Sequence, residues 1–297
     1  MKLRIGTRGS RLALAQAREV AGALTGSGVE PELVTITTAG DRGADPASDA
    51  AGVKGLFVTE IVRALLDGAV DLAVHSAKDL PAGDTDGLVI AAVPERASAL
   101  DVLVTRDGDL PPGARVGTSS IRRQAQVFRW RPDVLVKDLR GNVDTRLRKL
   151  QEGEADALIL AAAGLLRLGV VPEHAEPMSL SEMVPAPGQG CLAVQARASD
   201  GATIEALSAL DHAPSRTALE TERGLMARLG GGCALPLGAF AEPGPRGVRL
   251  LAIALSPDGS RIARTEVDGA TPEEVAELAA LDLSAGGADE ILGVVRP

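Results

Sequence analysis

At 297 residues, with 45% apolar and 24% charged residues, the chain has near-average globular composition and length enough for two or three domains, each with its own core. A formal net charge of -9 argues against a nucleic-acid binder, because neutralising phosphates takes a positive surface. No run approaches bilayer-spanning length, the N-terminus enters a strand-like segment without an export signal, and the two cysteines form neither a disulfide framework nor a metal-ligand spacing.

These features lead to the expectation of a cytoplasmic protein without a metal. The three histidines, His75, His174 and His212, are scattered singly, the pattern of structural side chains rather than of ligands. Of the 31 basic residues 26 are Arg, so where they fall along the chain decides what they mean.

In chain order, short apolar runs alternate with helical periodicity: strand over 2–6, helix over 10–24, strand over 32–38, helix over 57–67, strand over 70–75. The rhythm returns over 114–117, 121–129, 134–138, 143–152 and 156–160, which predicts two α/β units. Residues 68–75 can be laid over 153–160 at an offset of 85, and Arg4-Ile5-Gly6-Thr7 over Arg115-Val116-Gly117-Thr118 at an offset of 111, so the first copy carries 26 extra residues. Part of the excess is the Gly-rich stretch 39–55, read as a mobile lid. Beyond residue 190 come a strand over 192–197, helices around 202–210 and 214–229, and an alternating stretch over 235–266; residues 248–267 read as a hairpin turned at Pro257-Asp258-Gly259, giving an α+β third unit.

The strand at 70–75 ends abruptly in Ser76-Ala77-Lys78-Asp79, and ligands of open parallel sheets collect beyond carboxyl strand ends. The junction at 116–126 supplies Thr118, Ser119 and Ser120 and then starts a helix with Arg122 and Arg123. Two guanidinium groups in a first helical turn oppose the macrodipole, a cost that an anionic ligand relieves. Arg140, Arg146 and Arg167 recur at comparable edges, and Arg8, Ser10 and Gln16 sit at the first unit's opening junction. Guanidinium and hydroxyl donors around one carboxylate, Asp79, imply a polycarboxylate ligand, and no glycine-rich nucleotide fingerprint is present. Glycines precede both Cys233, in Gly230-Gly231-Gly232-Cys233, and Cys191, in Gly188-Gln189-Gly190-Cys191, and composition does not choose between them.

Taken in order, RIGTRGSRLALAQA, KGLF, HSAKDLP, VGTSSIRRQ, RGNVDTRL, GQG and GGGCALPLG make the chain resemble porphobilinogen deaminases over residues 4–241. The resemblance implies two similar α/β domains like type 2 periplasmic binding proteins and a small α+β C-terminal domain: 1–96 plus 191–212, 97–190, and 213–297. It implies stepwise condensation of four porphobilinogen molecules, with loss of ammonia, onto a dipyrromethane cofactor thioether-linked to Cys233, then hydrolysis to hydroxymethylbilane. Asp79 matches the family's catalytic carboxylate. Lys78, Asp79, Thr118, Ser120, Arg122 and Arg123 match cofactor-binding positions; Arg8, Ser10, Gln16, Arg140, Arg146, Arg167 and Gln189 match substrate-binding ones. Cys191 sits where the family needs no thiol, and a monomer is expected. Three residues depart from the family pattern: Thr59 where many relatives carry Lys, Leu100 where Arg is common, and Gln195 in place of Glu. Two other classes stay open on the residues alone, an organic-anion-binding protein and a Cys233 acyl transferase, although no motif places a His beside Cys233.

Overall fold

The computed structural model describes residues 1–37, 52–230 and 235–293. In chain order the elements are β1 (Lys2–Arg8), α1 (Arg11–Gly26), β2 (Glu30–Ile36), α2 (Gly52–Leu66), β3 (Leu72–Ser76), β4 (Leu88–Ala92), β5 (Asp101–Thr105), β6 (Arg115–Gly117), α3 (Ile121–Trp130), β7 (Leu135–Lys137), α4 (Val143–Gln151), β8 (Ala157–Ala161), α5 (Ala162–Leu168), β9 (Ala175–Pro177) and β10 (Leu192–Arg197). They are followed by α6 (Gly201–Ser208), α7 (Ala213–Arg228), β11 (Leu237–Gly244), β12 (Gly247–Leu255), β13 (Ile262–Gly269), α8 (Pro272–Ala285) and α9 (Ala288–Leu292), and a 3-10 turn, Ala77–Asp79, follows β3.

Three sheets organise these elements, in the orders β2-β1-β3-β10-β4, β7-β6-β8-β5-β9 and β11-β12-β13. The two five-stranded sheets share one plan. A central strand, β1 or β6, pairs in parallel on both sides. Next to that parallel trio a fourth strand, β10 or β5, runs antiparallel to both its neighbours. These are two similar α/β units with mixed sheets, and the three-stranded antiparallel sheet with α7 and α8 is the small C-terminal α+β unit.

The internal repeat reappears as a pair of matching buckles at the start of each sheet. Arg4 donates from its backbone N–H to Asp71 Oδ2 (2.8 Å) and from Nη2 to Asp71 Oδ1 (2.7 Å) and the Gly68 carbonyl (2.8 Å). Arg115 makes the same three bonds, to Asp156 Oδ2, Asp156 Oδ1 and the Gly153 carbonyl, each 2.9 Å long. A second guanidinium closes each buckle from the antiparallel side, Arg197 on Asp71 at 3.6 Å and Arg106 on Asp156 at 3.3 Å.

The extra residues of the first copy are not all loop. The helices α1 and α2 have 16 and 15 residues against 10 and 9 in α3 and α4. Helix α2 already begins at Gly52, so residues 52–55 of the expected lid are helical, and Thr59 sits within that helix rather than in a loop. The rest of the expected lid, 39–51, lies outside the described residues.

Two buried contacts fix the third unit against the other two. Leu251, Ile253 and Leu255 of β12 pack on Ala125 of α3 and on Val184. At the hairpin turn Gly259 has φ 71°, and a Cβ there would stand 2.5 Å from the Ala125 carbonyl oxygen, so both conformation and space demand glycine. On the other side Glu222 of α7, fully buried, receives Arg96 Nη1 at 2.8 Å, the Gly188 N–H at 2.5 Å and the Ala241 N–H at 2.8 Å. Arg96 in turn donates from Nε to the Gln189 carbonyl at 2.9 Å, so one ion pair joins the two segments that cross between the sheets to the third unit.

Candidate active site

At the carboxyl end of β1 the chain turns sharply into α1, and Ser10 caps the helix by accepting from the Ala13 N–H at 3.2 Å. The neighbouring strand β3 ends at Ser76, where the 3-10 turn projects Lys78 and Asp79 beyond the sheet. Between these two strand ends lies a cavity of about 80 Å³ lined by Arg8, Ser10 and Gln16 on one side and His75, Ser76 and Asp79 on the other, with Leu12, Ala13, Ile61 and Val74 as its apolar wall. Gln16 donates to Ser76 Oγ at 2.7 Å across the gap. Arg8, Ser10, Gln16 and Asp79, singled out separately in the sequence, therefore share one cavity.

A chain of polar contacts leads from this cavity to the second sheet. Lys78 Nζ donates to Gln189 Oε1 (3.2 Å), and Gln189 Nε2 donates to Asp101 Oδ1 (2.9 Å). Asp101 also receives Arg122 Nη2 at 2.9 Å and Arg123 Nη2 at 2.7 Å. All four of Asp101, Arg122, Arg123 and Gln189 are buried. Burial alone would raise the Asp101 carboxyl, but the two guanidinium charges, with hydrogen bonds from Arg123 and Gln189, hold it well below the usual carboxylate range.

The sequence had pointed to an external anion for Arg122 and Arg123, and the structure corrects this in part: the chain itself supplies a carboxylate, Asp101. Two guanidinium groups on one carboxylate still leave a positive excess. Arg122 Nε is buried without a hydrogen-bond partner. Arg146, donating to Ser119 Oγ at 3.1 Å, is made less basic by burial and by the repulsion of Arg123. The cluster therefore carries more positive charge than its own carboxylate balances.

Thr118 behaves differently from the open donor that the sequence suggested. It is fully buried, and its Oγ1 accepts the Ser120 N–H at 3.2 Å. Ser120 is the N-cap residue of α3 but makes no side-chain capping bond, unlike Ser10 in α1. The Arg167 side chain is only 6% exposed and is held by Glu19 (2.8 Å) and by the Gly190 carbonyl (3.2 Å), which places it beside the Gln189 loop. Arg140 stands apart at the exposed rim, paired with Asp138 at 3.1 Å.

Cys233 lies outside the described residues. Cys191 is buried, and burial pushes its thiol up to about 12, the behaviour of an inert core side chain. Asp101, His75 and the Arg96–Glu222 pair are the residues that sequence reasoning missed. The signal available for Asp101 was an acid opening the apolar run Val102-Leu103-Val104.

Among the described residues no helix is long and apolar enough to cross a membrane. The family model described as "Porphobilinogen deaminase, dipyromethane cofactor binding domain" matches residues 3–205, and that described as "Porphobilinogen deaminase, C-terminal domain" matches residues 217–285. A porphobilinogen deaminase of Thermus thermophilus is 46% identical, covering 98% of this chain and 98% of its own length. One from Brevibacillus brevis is 44% identical over 99% and 97%, and one from Desulforudis audaxviator 46% over 98% and 97%. Among solved structures, the methionine-binding protein MetQ aligns with 70% of this chain and 88% of its own at 11% identity and a TM-score of 0.45. Matched along nearly its whole length by family models and relatives alike, the chain belongs to the porphobilinogen deaminase family.

Proposed function

We propose that this chain condenses four molecules of porphobilinogen one after another, releasing ammonia each time, with Asp79 as the catalytic carboxylate and the cavity between the ends of β1 and β3 as the place where each bond forms. Membership of the family makes it a transferase of tetrapyrrole biosynthesis with a dipyrromethane cofactor. The observation that carries the site assignment is the convergence of Arg8, Ser10, Gln16 and Asp79 on one cavity.

The residues present suit such a cofactor, because each pyrrole bears an acetate and a propionate, and the cluster of Arg122, Arg123 and Arg146 has more positive charge than Asp101 balances. Lys78, Thr118, Ser120, Arg122 and Arg123, with Asp79, are the groups we assign to holding the cofactor, with Cys233 as its thioether attachment. When bound, the cofactor supplies a free pyrrole α-carbon as nucleophile. Arg8, Ser10, Gln16, Arg140, Arg146, Arg167 and Gln189 are assigned to the carboxylates of substrate and growing chain. Thr118, with its hydroxyl already engaged, contributes by shaping the turn that presents Ser120.

The Asp79 carboxylate serves twice. It faces the cation that porphobilinogen becomes as ammonia departs, stabilising developing charge where water is scarce. It then takes up the proton released as the new carbon–carbon bond forms. The division of the chain into 1–96 plus 191–212, 97–190 and 213–297 is part of the proposal, supported by strand membership in the three sheets, as are a monomeric state and a cytoplasmic location.

The test is Asp79→Asn. The variant should keep the mass increment of two porphobilinogen units less two ammonias on the intact protein while turnover falls by about 10²- to 10⁴-fold, the usual contribution of a positioned acid–base group. Near-normal turnover would remove Asp79 from the chemistry, and an unmodified mass in an active wild-type preparation would remove the cofactor.

A further inference from the structure

One face of α1, at residues 11, 14, 15 and 18, has the spacing of a stripe that a helix normally buries, yet its two ends are Arg11 and Arg18. Seven residues of helix set those two positions roughly 10 Å apart along the axis, with Leu14 and Ala15 between them. The end of α5 supplies the opposite wall. The two helices touch where Gly164 faces Leu12, and one turn further on lies a groove of about 290 Å³ lined by Arg11, Leu14, Ala15, Arg18, Arg167 and Leu168. It shares no residue with the cavity of Asp79, which takes Leu12, Ala13 and Gln16 from a different face of the same helix.

Three guanidinium-bearing residues and no carboxylate line the groove. Arg167 is built in: its side chain is 6% exposed, Nε and Nη2 reach the two oxygens of Glu19 at 2.8 and 3.4 Å, and Nη2 also donates to the Gly190 carbonyl. Nη1 takes no part in those bonds. Arg11 pairs with Asp144 at 2.5 Å, but its side chain is 67% exposed, and a pair so open to water exchanges one carboxylate for another at little cost. Arg18 is exposed and pairs with no carboxylate among the described residues. Three cations are thus met by two carboxylates.

This combination selects a ligand class. Guanidinium forks suit carboxylates, and a floor of Leu14, Ala15 and Leu168 suits a flat apolar face. A bare inorganic anion leaves that floor wet, and an uncharged apolar molecule leaves the cationic excess unanswered. A pyrrole with acetate and propionate arms meets both.

We propose that the groove between α1 and α5 is a second binding site for such a pyrrole, filled by free porphobilinogen while another molecule occupies the cavity of Asp79. Arg18 and Arg167 hold its carboxylates, Leu14, Ala15 and Leu168 take the face of its ring, and its ammonium group stays in water at the open side. The proposal rests on the reading of porphobilinogen as the substrate, and its geometry is independent of Asp79. Arg167 joins the groove to the Gln189 loop, so a molecule held there waits beside the cleft that consumes four in succession. A ring of the growing chain carries the same two arms, and the experiment separates the two sources.

The probe is the pyrrole with the same acetate and propionate but no aminomethyl group, which offers no amine to lose. Titrated calorimetrically into the holoenzyme, it should bind in two equivalents. Arg18→Glu, at an exposed position, should weaken one of them at least tenfold and Arg18→Lys by no more than about threefold, whereas Arg8→Leu should weaken only the other. In parallel, intact masses after one to four equivalents of porphobilinogen are compared for the wild type and Arg18→Glu. A single equivalent in the wild type, together with a chain length that accumulates in Arg18→Glu alone, assigns the groove to a ring of the growing chain. A single equivalent with unchanged masses overturns the proposal. So does a second equivalent that Arg18→Glu leaves intact, or one that Lys and Glu weaken equally. If Arg8→Leu keeps both equivalents and full turnover, it is the reaction cavity that fails, and the Arg18 variants still decide the groove.

Discussion

Burial of the His75 ring fixes a window of pH in which the fold weakens. The unfolded ring takes a proton near 6.5 and the folded ring at about 4, so above 6.5 neither state binds it and stability is unaffected. As the pH falls from 6.5 towards 4 the unfolded state binds a proton that the folded state refuses, and stability drops by about 3 kcal/mol at most. The melting temperature of the wild type should fall over that window more steeply than that of His75→Gln; superimposable curves would show that the ring is not held neutral. At this scale Asp79, Arg8 and Ser10 were legible because each stands at a junction where an apolar run stops, a local signal, and Gln16 because it is a polar residue in the helix that opens there. Asp101 was not, since nothing next to it in sequence shows that Arg122 and Arg123, about 20 residues on, will fold back onto its carboxylate. The hydroxyl of Thr118 was misjudged for a similar reason: a residue at a strand end points outward or inward according to the turn it makes, and that turn is set by the Ser120 N–H.

Long periodic segments were legible as elements, and short ones were not. The strands β4, β5 and β9 span five, five and three residues and lack clean alternation, so the apolar rhythm passes over them. Yet β4 and β5 flank the first crossing between the sheets, and the second crossing ends at β10. The two crossings touch at Gly190. Its φ is 89°, and a Cβ there would stand 2.5 Å from the Ala97 carbonyl oxygen and 2.9 Å from that of Ser98. Gly190→Ala therefore pushes backbone against backbone in a conformation that alanine resists, a cost of order 1–3 kcal/mol. It should lower the urea midpoint and, because Gln189 bridges Lys78 and Asp101, also raise KM for porphobilinogen; a variant with unchanged midpoint and KM would show that the crossings are not in firm contact.

For the molecule as a whole, the twofold likeness of the α/β units was readable because the Arg4 and Arg115 buckles occupy equivalent sequence positions. The seating of the third unit was not, since it depends on Glu222 meeting Arg96, which are 126 residues apart. Glu222→Gln leaves the Arg96 guanidinium buried without its counter-charge and should cost about 3–5 kcal/mol. A double change of Arg96 and Glu222 to Met and Leu should recover only part of this, because the Gly188 and Ala241 N–H groups lose their acceptor; denaturant titration of the three proteins checks the order, and full recovery would show that those two bonds contribute nothing. The sheet order also governs how the protein is made. All strands of the second sheet lie between residues 101 and 177, so it can close as soon as that stretch leaves the ribosome. The first sheet cannot: among the described residues β4 has no neighbour except β10, which is synthesised 100 residues after β4 ends. A nascent chain thus holds a finished second lobe while the first still shows open strand edges at β3 and β4, and a product truncated before residue 192 carries those edges permanently, with the Asp79 turn hanging beside them.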